Sequence, residues 1–238
     1  MADGVFDPAA DLPAMLELRG RVWGADHPHT NAAFLKWLLT ETPEGPGSGI
    51  VSYQDDKMIG FVGVARRAAA IGDTPVTIAH GLEFMVDPDI GGMLSGRLGV
   101  RLLQKHIKRC AELGGDVTLN YPNDNSHRML LSKRVKYDPV LHPDLYLRPL
   151  PGFRLVDQDK NAVARLAFRL GGKVGALVSS VRAKKAATGA EIVELTRFDT
   201  RFDDHWNRLQ ADGKLRFKRN AAWLNWRYAD HPIHSYRI

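Results

Sequence analysis

The sequence predicts an α/β (α+β) fold in which two helices and a run of strands lead into one strand–loop–helix unit. Three observations predict it. Residues 77–86 are rich in β-branched and aromatic side chains and end at Asp87-Pro88-Asp89, where Pro donates no ladder hydrogen bond and Asp favours a turn. Gly91, Gly92 and Gly96 then open an amphipathic segment. Its Leu98, Leu102, Leu103, Ile107, Cys110 and Leu113 share one arc, which predicts a helix from about 94 to 113. A second short strand at 117–121 runs into Pro122-Asn123-Asp124-Asn125-Ser126, a turn able to cap another helix.

The remaining elements follow in order. Residues 5–6 read as a short strand and 7–21 as a helix capped by Asp11, with Leu12, Met15, Leu16, Leu18 and Arg19 in a helical stripe. His27-Pro28-His29-Thr30 is a loop. Two histidines without a neighbouring carboxylate or third histidine read as solvent-facing rather than as metal ligands. Residues 31–40 form a second helix with Phe34, Trp37 and Leu38 on one face. After a turn-rich connector at 43–49, residues 50–53 and 58–65 read as a hairpin about Gln54-Asp55-Asp56-Lys57. A turn at 71–75 returns the chain into the 77–86 strand. Residues 135–147 read as two short strands, and Arg148-Pro149-Leu150-Pro151-Gly152 marks a boundary. Beyond it, 159–185 has the spacing of a long amphipathic helix with a basic rim. It suits packing on the first unit or a partner chain, with a membrane-surface helix as the alternative. Residues 191–195 read as a strand, and 200–209 as a helix with Phe202, Trp206 and Leu209 inward.

Strand, glycine loop and helix together suit a phosphate. A helix N-terminus exposes free amides and the positive end of its dipole, and glycine lets a diphosphate approach that backbone. Spacing separates the families that use this device. A P-loop needs Gly-Lys-Ser/Thr, where this chain has Gly96-Arg97-Leu98. A dinucleotide fingerprint needs closer glycines than Gly92, Gly96 and Gly99, and an acid where the next strand ends in Asn120-Tyr121-Pro122.

The stretch resembles instead the GNAT family of acetyl-CoA-dependent N-acyltransferases. Val86-Asp87-Pro88 stands at the family's V-x-P position. Gly99-Val100-Arg101-Leu102-Leu103 matches the second glycine and paired leucines of its Q/R-x-x-G-x-G/A loop. Asn125 opens a segment like the family's N-x-x-A/S helix, with Tyr137 near its closing aromatic. The letters depart at Leu94, Arg97, Ser132 and Lys136, where the family has Gln or Arg, Gly, a catalytic Tyr and Gly.

The resemblance implies a mixed, mostly antiparallel central sheet flanked by helices over residues 1–150, with the first two helices shaping the acceptor side. It implies acetyl-CoA as co-substrate, bound by Met85, Val86, Gly92, Gly96, Arg97, Gly99, Val100 and Asn125, and no metal. Arg101, in the basic stripe Arg97, Arg101, Lys105 and Lys108, is a further phosphate partner; a solvated face is the plainer alternative. Glu83 stands where many family members carry a general base, because an attacking amine must lose a proton. The alternative is a strand Glu facing solvent or paired with an Arg. Strict alternation places His80 on the opposite side of the strand from Glu83. Ser132, Tyr121 and Tyr137 are candidate proton donors.

The tail Lys218–Pro232 mixes basic and aromatic residues. Trp223, Trp226 and Arg227 at helical spacing read as a core face with a flanking charge; stacking on single-stranded nucleic acid is the alternative. The tail also resembles a segment of bacterial two-repeat GNAT proteins. That resemblance implies that residues 151–238 are a linker helix and an incomplete second repeat, whose apolar surface a homodimer or another partner would cover.

Composition sets the outer bounds. Of 238 residues, 44% are hydrophobic and 25% charged, the balance of a chain that can bury a core. The single cysteine excludes an internal disulfide and any multi-cysteine metal site. No basic, apolar leader opens the chain and no apolar run is long enough to span a bilayer, so a cytoplasmic protein is expected. A net charge of +6 suits an anionic ligand. The resemblance, within these bounds, implies an N-acyltransferase acting on a small-molecule or protein amine, without nucleic acid. A non-catalytic acyl-CoA-binding or scaffold module of the same fold is the alternative.

Overall fold

The computed structural model describes residues 1–139, 193–209 and 213–238. The helix expected over 159–185, the boundary at 148–152, most of the 135–147 strands and the start of the 191–195 strand lie outside these residues. Strand β1, Ala2–Val5, leads into α1, Pro8–Trp23. Asp7, not Asp11, caps α1: its carboxylate accepts from the Ala9 amide at 2.9 Å, while Asp11 reaches back to the Asp7 amide at 2.7 Å. This reciprocal arrangement satisfies donors at the helix start that no turn could reach. Helix α2, Ala32–Thr40, is capped by Asn31, which accepts from Ala33 and Phe34.

Strands β2, Ser48–Gln54, and β3, Lys57–Ile71, form the expected hairpin, closed by Asp55 at φ 54°. β4, Thr74–Val86, follows through a turn that holds Gly72 at φ 56°, a conformation glycine reaches without a Cβ penalty. Helix α3, Gly92–Glu112, strand β5, Val117–Asn120, and helix α4, Asp124–Leu130, complete the strand–loop–helix unit. The sheet order is β1-β2-β3-β4-β5, with every pairing antiparallel except the parallel β4–β5 pair. This is the mixed, mostly antiparallel sheet flanked by helices that the sequence predicts.

Each face of the sheet carries its own core. Met15 and Leu18 of α1 and Phe34, Leu35 and Trp37 of α2 close on Phe61 and Met85. On the other face Leu98, Leu102 and Leu103 of α3, with Leu130 of α4, close on Ile59 and Val62. The basic stripe of α3 is partly spent on structure. Arg101 and Lys105 both bind the Asp3 carboxylate, at 3.0 and 2.8 Å, and strap α3 to β1. Burial pushes Asp3 up, but the Lys105 and Ser52 hydrogen bonds and the Arg101 charge outweigh it and hold the carboxyl below its ordinary value.

The C-terminal segment belongs to this same compact unit: residues Leu195–Ile238 cluster with Met1–Pro139. It comprises α5, Thr200–Leu209, β6, Leu215–Phe217, and α6, Ala221–Leu224, which runs on as a π-helical turn, Asn225–Ala229. Strand β3 outruns β2, whose pairing stops at Ser48↔Val64, and β6 takes the free edge at Ala69–Ile71. The Trp226 indole stacks on Trp37 with centroids 4.4 Å apart. Each indole N–H donates to the other residue's carbonyl, at 2.9 and 3.3 Å, and the Arg67 guanidinium lies 4.5 Å from the Trp226 ring centroid. Trp226 thus finds its burial on α2, and β6 finds its partner on β3. Within α5, Trp206 is buried as expected, whereas Leu209 is exposed.

Trp226→Ala should lower the unfolding free energy by about 3–5 kcal/mol, as large aromatic deletions from a packed core do. Urea unfolding followed by tryptophan fluorescence and by far-ultraviolet dichroism checks it. A variant as stable as the wild type would mean that the segment is not docked.

Candidate functional site

Strand β4 carries one residue more than β3 across a short interval. Phe61 pairs with Met85 and Gly63 with Leu82, so Val62 alone faces both Glu83 and Phe84. This is a β-bulge, and Glu83 takes the strain at φ 55°. The extra residue changes which face each side chain meets. Leu82 packs with the α1/α2 core, Glu83 pairs with Arg19 of α1, and Phe84 returns to the α3 side. Glu83 thus shares a face with Leu82 and, two residues earlier, His80. The opposite-face placement expected from strict alternation is corrected by the bulge.

The same strand outlives its partner. β5 pairs with β4 only from Ile78↔Val117 to Gly81↔Asn120, so among the described residues Leu82 to Val86 run on without a neighbour on that edge. The wedge so opened is flanked by Tyr121, 60% exposed and edge-on to His80 with ring centroids 5.5 Å apart. Burial, helped by the Arg67 charge, pushes the His80 imidazole down to about 4, so it is neutral at physiological pH and a weak base.

At the end of β4 the loop turns on Asp87. Its buried carboxylate accepts from Arg21 Nε and from Lys57 Nζ, each at 2.9 Å, and from the Asp89 amide at 3.0 Å. Burial works against the charge, but the Lys57 and Asp89 hydrogen bonds and the two cations prevail and hold the carboxyl below its usual range. Beyond this turn α3 begins at Gly92 with no side-chain cap on its N-terminus. Among the described residues, no loop or side-chain acceptor takes the amides of Gly91, Gly92, Met93 or Leu94. A Cβ added at Gly91, Gly92 or Gly96 would meet nothing within 4 Å, so the space before these amides is open. Gly92 stands at φ 61°, where a side chain would be strained.

The remaining expected residues divide clearly. Arg97 is exposed and forms no ion pair among the described residues, beside the open helix start; Arg101 is bound to Asp3. A Cβ on Gly99 would lie 2.7 Å from Met129 Sδ and 3.2 Å from Phe84, so this glycine lets α4 and β4 pack close to α3. Met85 is buried in the α1/α2 core, while Val86 and Val100 pack partly buried on the α3 side; toward the wedge, Met85 and Val86 can offer backbone. Asn125 lies in the first turn of α4, whose cap is Asn123. The Ser132 hydroxyl is buried without a partner among the described residues, and burial pushes the Tyr137 phenol up to about 12.

Arg19 and Asp87 are the residues whose roles sequence reasoning missed. Arg19 left a trace, a cation within the apolar stripe Met15–Leu18–Val22 of α1. Its guanidinium is 3% exposed, and burial pulls it down to about 10, still charged at neutral pH. No metal-binding group occurs among the described residues, and none of their helices is long and apolar enough to cross a membrane.

No family model matches the chain, and no curated protein does. Solved structures do. A putative acetyltransferase from Agrobacterium tumefaciens superposes with a TM-score of 0.47 at 12% identity, over 62% of this chain and 100% of the other. A GCN5-related N-acetyltransferase from Ralstonia eutropha gives 0.47 at 16%, over 61% and 97%. An aminoglycoside antibiotic 6'-N-acetyltransferase from Acinetobacter haemolyticus gives 0.45 at 15%, over 63% and 99%. Likeness of this degree bears on neither substrate nor mechanism, which must come from the residues themselves.

Asp87 makes a pH-dependent contribution whose sign follows from its lowered value. An unfolded aspartate titrates near ~3.9. The contribution is therefore complete above that range and is lost as pH falls through the lower folded value. Asp87→Asn should destabilise the protein at pH 7 and converge on wild-type stability in acid, measured by urea unfolding at stepped pH. A pH-independent difference would remove the carboxylate charge from the account.

Proposed function

We propose that the protein is an N-acyltransferase that moves an acetyl group from acetyl-CoA to an amine by direct attack. The observation that carries this reading is the wedge between β4 and β5, opening beside an uncapped, glycine-lined helix start. Free amides at Gly91–Leu94 suit a diphosphate, with Gly92 and Gly96 leaving it room and Arg97 adding a cation. The unpaired edge at Met85 and Val86 offers peptide groups to the amide-bearing pantetheine arm. Val100 and Asn125 stand as further contacts of the same ligand.

Acetyl-CoA supplies the activated carbonyl. The amine nitrogen forms a bond to that carbon, the carbon–sulfur bond breaks, and the thiolate leaves and takes up a proton. Glu83 is the proposed acceptor of the amine proton, directly or through water, held at the wedge by the bulge and by Arg19. The acceptor is a small-molecule or protein amine.

The Arg19 ion pair also favours a second reading, a module that binds acyl-CoA without turning it over, because a carboxylate engaged by a guanidinium is a weaker base. One experiment separates the two. Acetyl-CoA should raise the melting temperature of the wild type and of Glu83→Gln alike. Thiol release with an amine panel should fall about a hundredfold in Glu83→Gln. Stabilisation without thiol release from the wild type supports the module; no stabilisation by any acyl-CoA removes both readings.

A further inference from the structure

The α1–α2 loop and the C-terminal segment meet in a cluster rich in guanidinium and imidazole groups. Arg19 lies 4.3 Å from the Trp23 ring centroid and 5.9 Å from that of Phe34. His29 stacks on Phe34 at 4.3 Å, with His27 edge-on to it at 5.2 Å. From the C-terminal side, His231 sits 4.5 Å from Trp37, and His234 lies 4.9 Å from His231 and 6.2 Å from His29. Arg227 stands 6.0 Å from the Trp37 ring.

Counter-charge is scarce. Glu83 meets Arg19, yet Arg19 Nε is buried without an acceptor among the described residues. Arg227 forms neither an ion pair nor a hydrogen bond among the described residues. Asp230 is taken by Arg197 at 2.6 and 2.9 Å, and Asp26 is exposed and pairs with neither arginine. The histidines present donors. His231 Nδ1 accepts from the amides of Ile233 and His234, and His27 Nδ1 from that of His29, which leaves Nε2–H on each. Burial, then the charges of Arg19, His27, His234 and Arg227, holds the His29 imidazole below its usual value. His231 is lowered in the same way by burial, Arg227, His234 and His29. Arg67, which feels the Arg227 charge, has Glu44 as its own partner at 3.6 Å. Among the described residues, then, two guanidiniums and four imidazoles on aromatic walls are faced by one carboxylate, Glu83.

We propose that this cluster binds the anionic group, carboxylate or phosphate, of an acceptor whose amine lies toward Glu83. The substrate class is thus an amine bearing an acid, and this part rests on the acyltransferase reading. The anion site itself does not, because Arg19 joins it to Glu83 whatever the chemistry there.

The test uses the full chain without acyl-CoA, and sodium benzoate and inorganic phosphate as probes, each against chloride at equal ionic strength. One or both should raise the melting temperature, and the stronger probe identifies the group. The affinity should weaken at least about tenfold in Arg227→Ala, with partial rescue by Arg227→Lys, as loss of a charge-assisted contact implies. Bound anion should raise the His29 and His231 titrations seen by NMR, so binding tightens as pH falls from 8 to 6. Circular dichroism and acetyl-CoA stabilisation, read in parallel, separate misfolding from loss of the site. No stabilisation by either probe, or equal stabilisation in wild type and Arg227→Ala, overturns the anion site. If the anion site holds but thiol release does not favour an amino acid over its carboxamide, the substrate class fails. If acetyl-CoA does not bind while the probes do, the acyltransferase reading fails and the site stands.

Discussion

One surplus residue in β4 governs the rest of the molecule. Where Val62 faces two residues instead of one, the chain must bend, and Glu83 absorbs the misfit in a left-handed conformation. Such a conformation in a residue with a side chain costs on the order of 1–3 kcal/mol, and surrounding contacts must fix it. Arg19 and the cores on both faces of β4 do so here. The ion pair by itself says little about net stability, because desolvating two charges offsets most of what their attraction returns. Its consequence is placement: it sets a carboxylate beside the opening where β5 stops pairing with β4.

Helix α1 holds that opening from one side. Arg19 meets Glu83 at the bulge, and Arg21 meets Asp87 where the strand ends, while also donating to the Met58 carbonyl at 2.7 Å. The unpaired length of β4, Leu82 to Val86, is therefore pinned at both ends by one helix. A strand edge without a partner is ordinarily a liability. Here it is held by ion pairs from a face of the sheet rather than, among the described residues, by a neighbouring strand.

How much of this was legible depends on range. The strand, loop and helix of 77–121 were readable because turn residues and apolar spacing act locally; α3 begins only two residues before its expected start. The Trp223–Trp226 spacing correctly signalled a core face. The bulge was not readable, since no glycine or proline marks Glu83 and strict alternation sends its side chain the wrong way. Asp3 with Arg101, and Trp37 with Trp226, are pairs of residues 98 and 189 positions apart, and no local pattern announces either. Reading the tail as the start of another repeat followed from its letters alone, whereas β6 and Trp226 are placed by partners early in the chain.

This difference in range divides the proposed site in two. The half suited to a diphosphate and its arm is built from 77–126, a contiguous stretch whose contacts close short loops. The half suited to the acceptor needs Arg19, His27 and His29 from the N-terminal region and Arg227, His231 and His234 from the last dozen residues. It is complete only when the Trp37–Trp226 stack has formed and β6 has found β3. Closing so long a loop costs conformational entropy before any contact rewards it, so the acceptor half should form later in folding than the contiguous half. Destabilising the C-terminal segment should then loosen the grip on an acceptor while leaving the glycine-lined helix start in place. On the proposed reading, the division lets the acceptor-binding surface change without disturbing the half that binds the acyl donor.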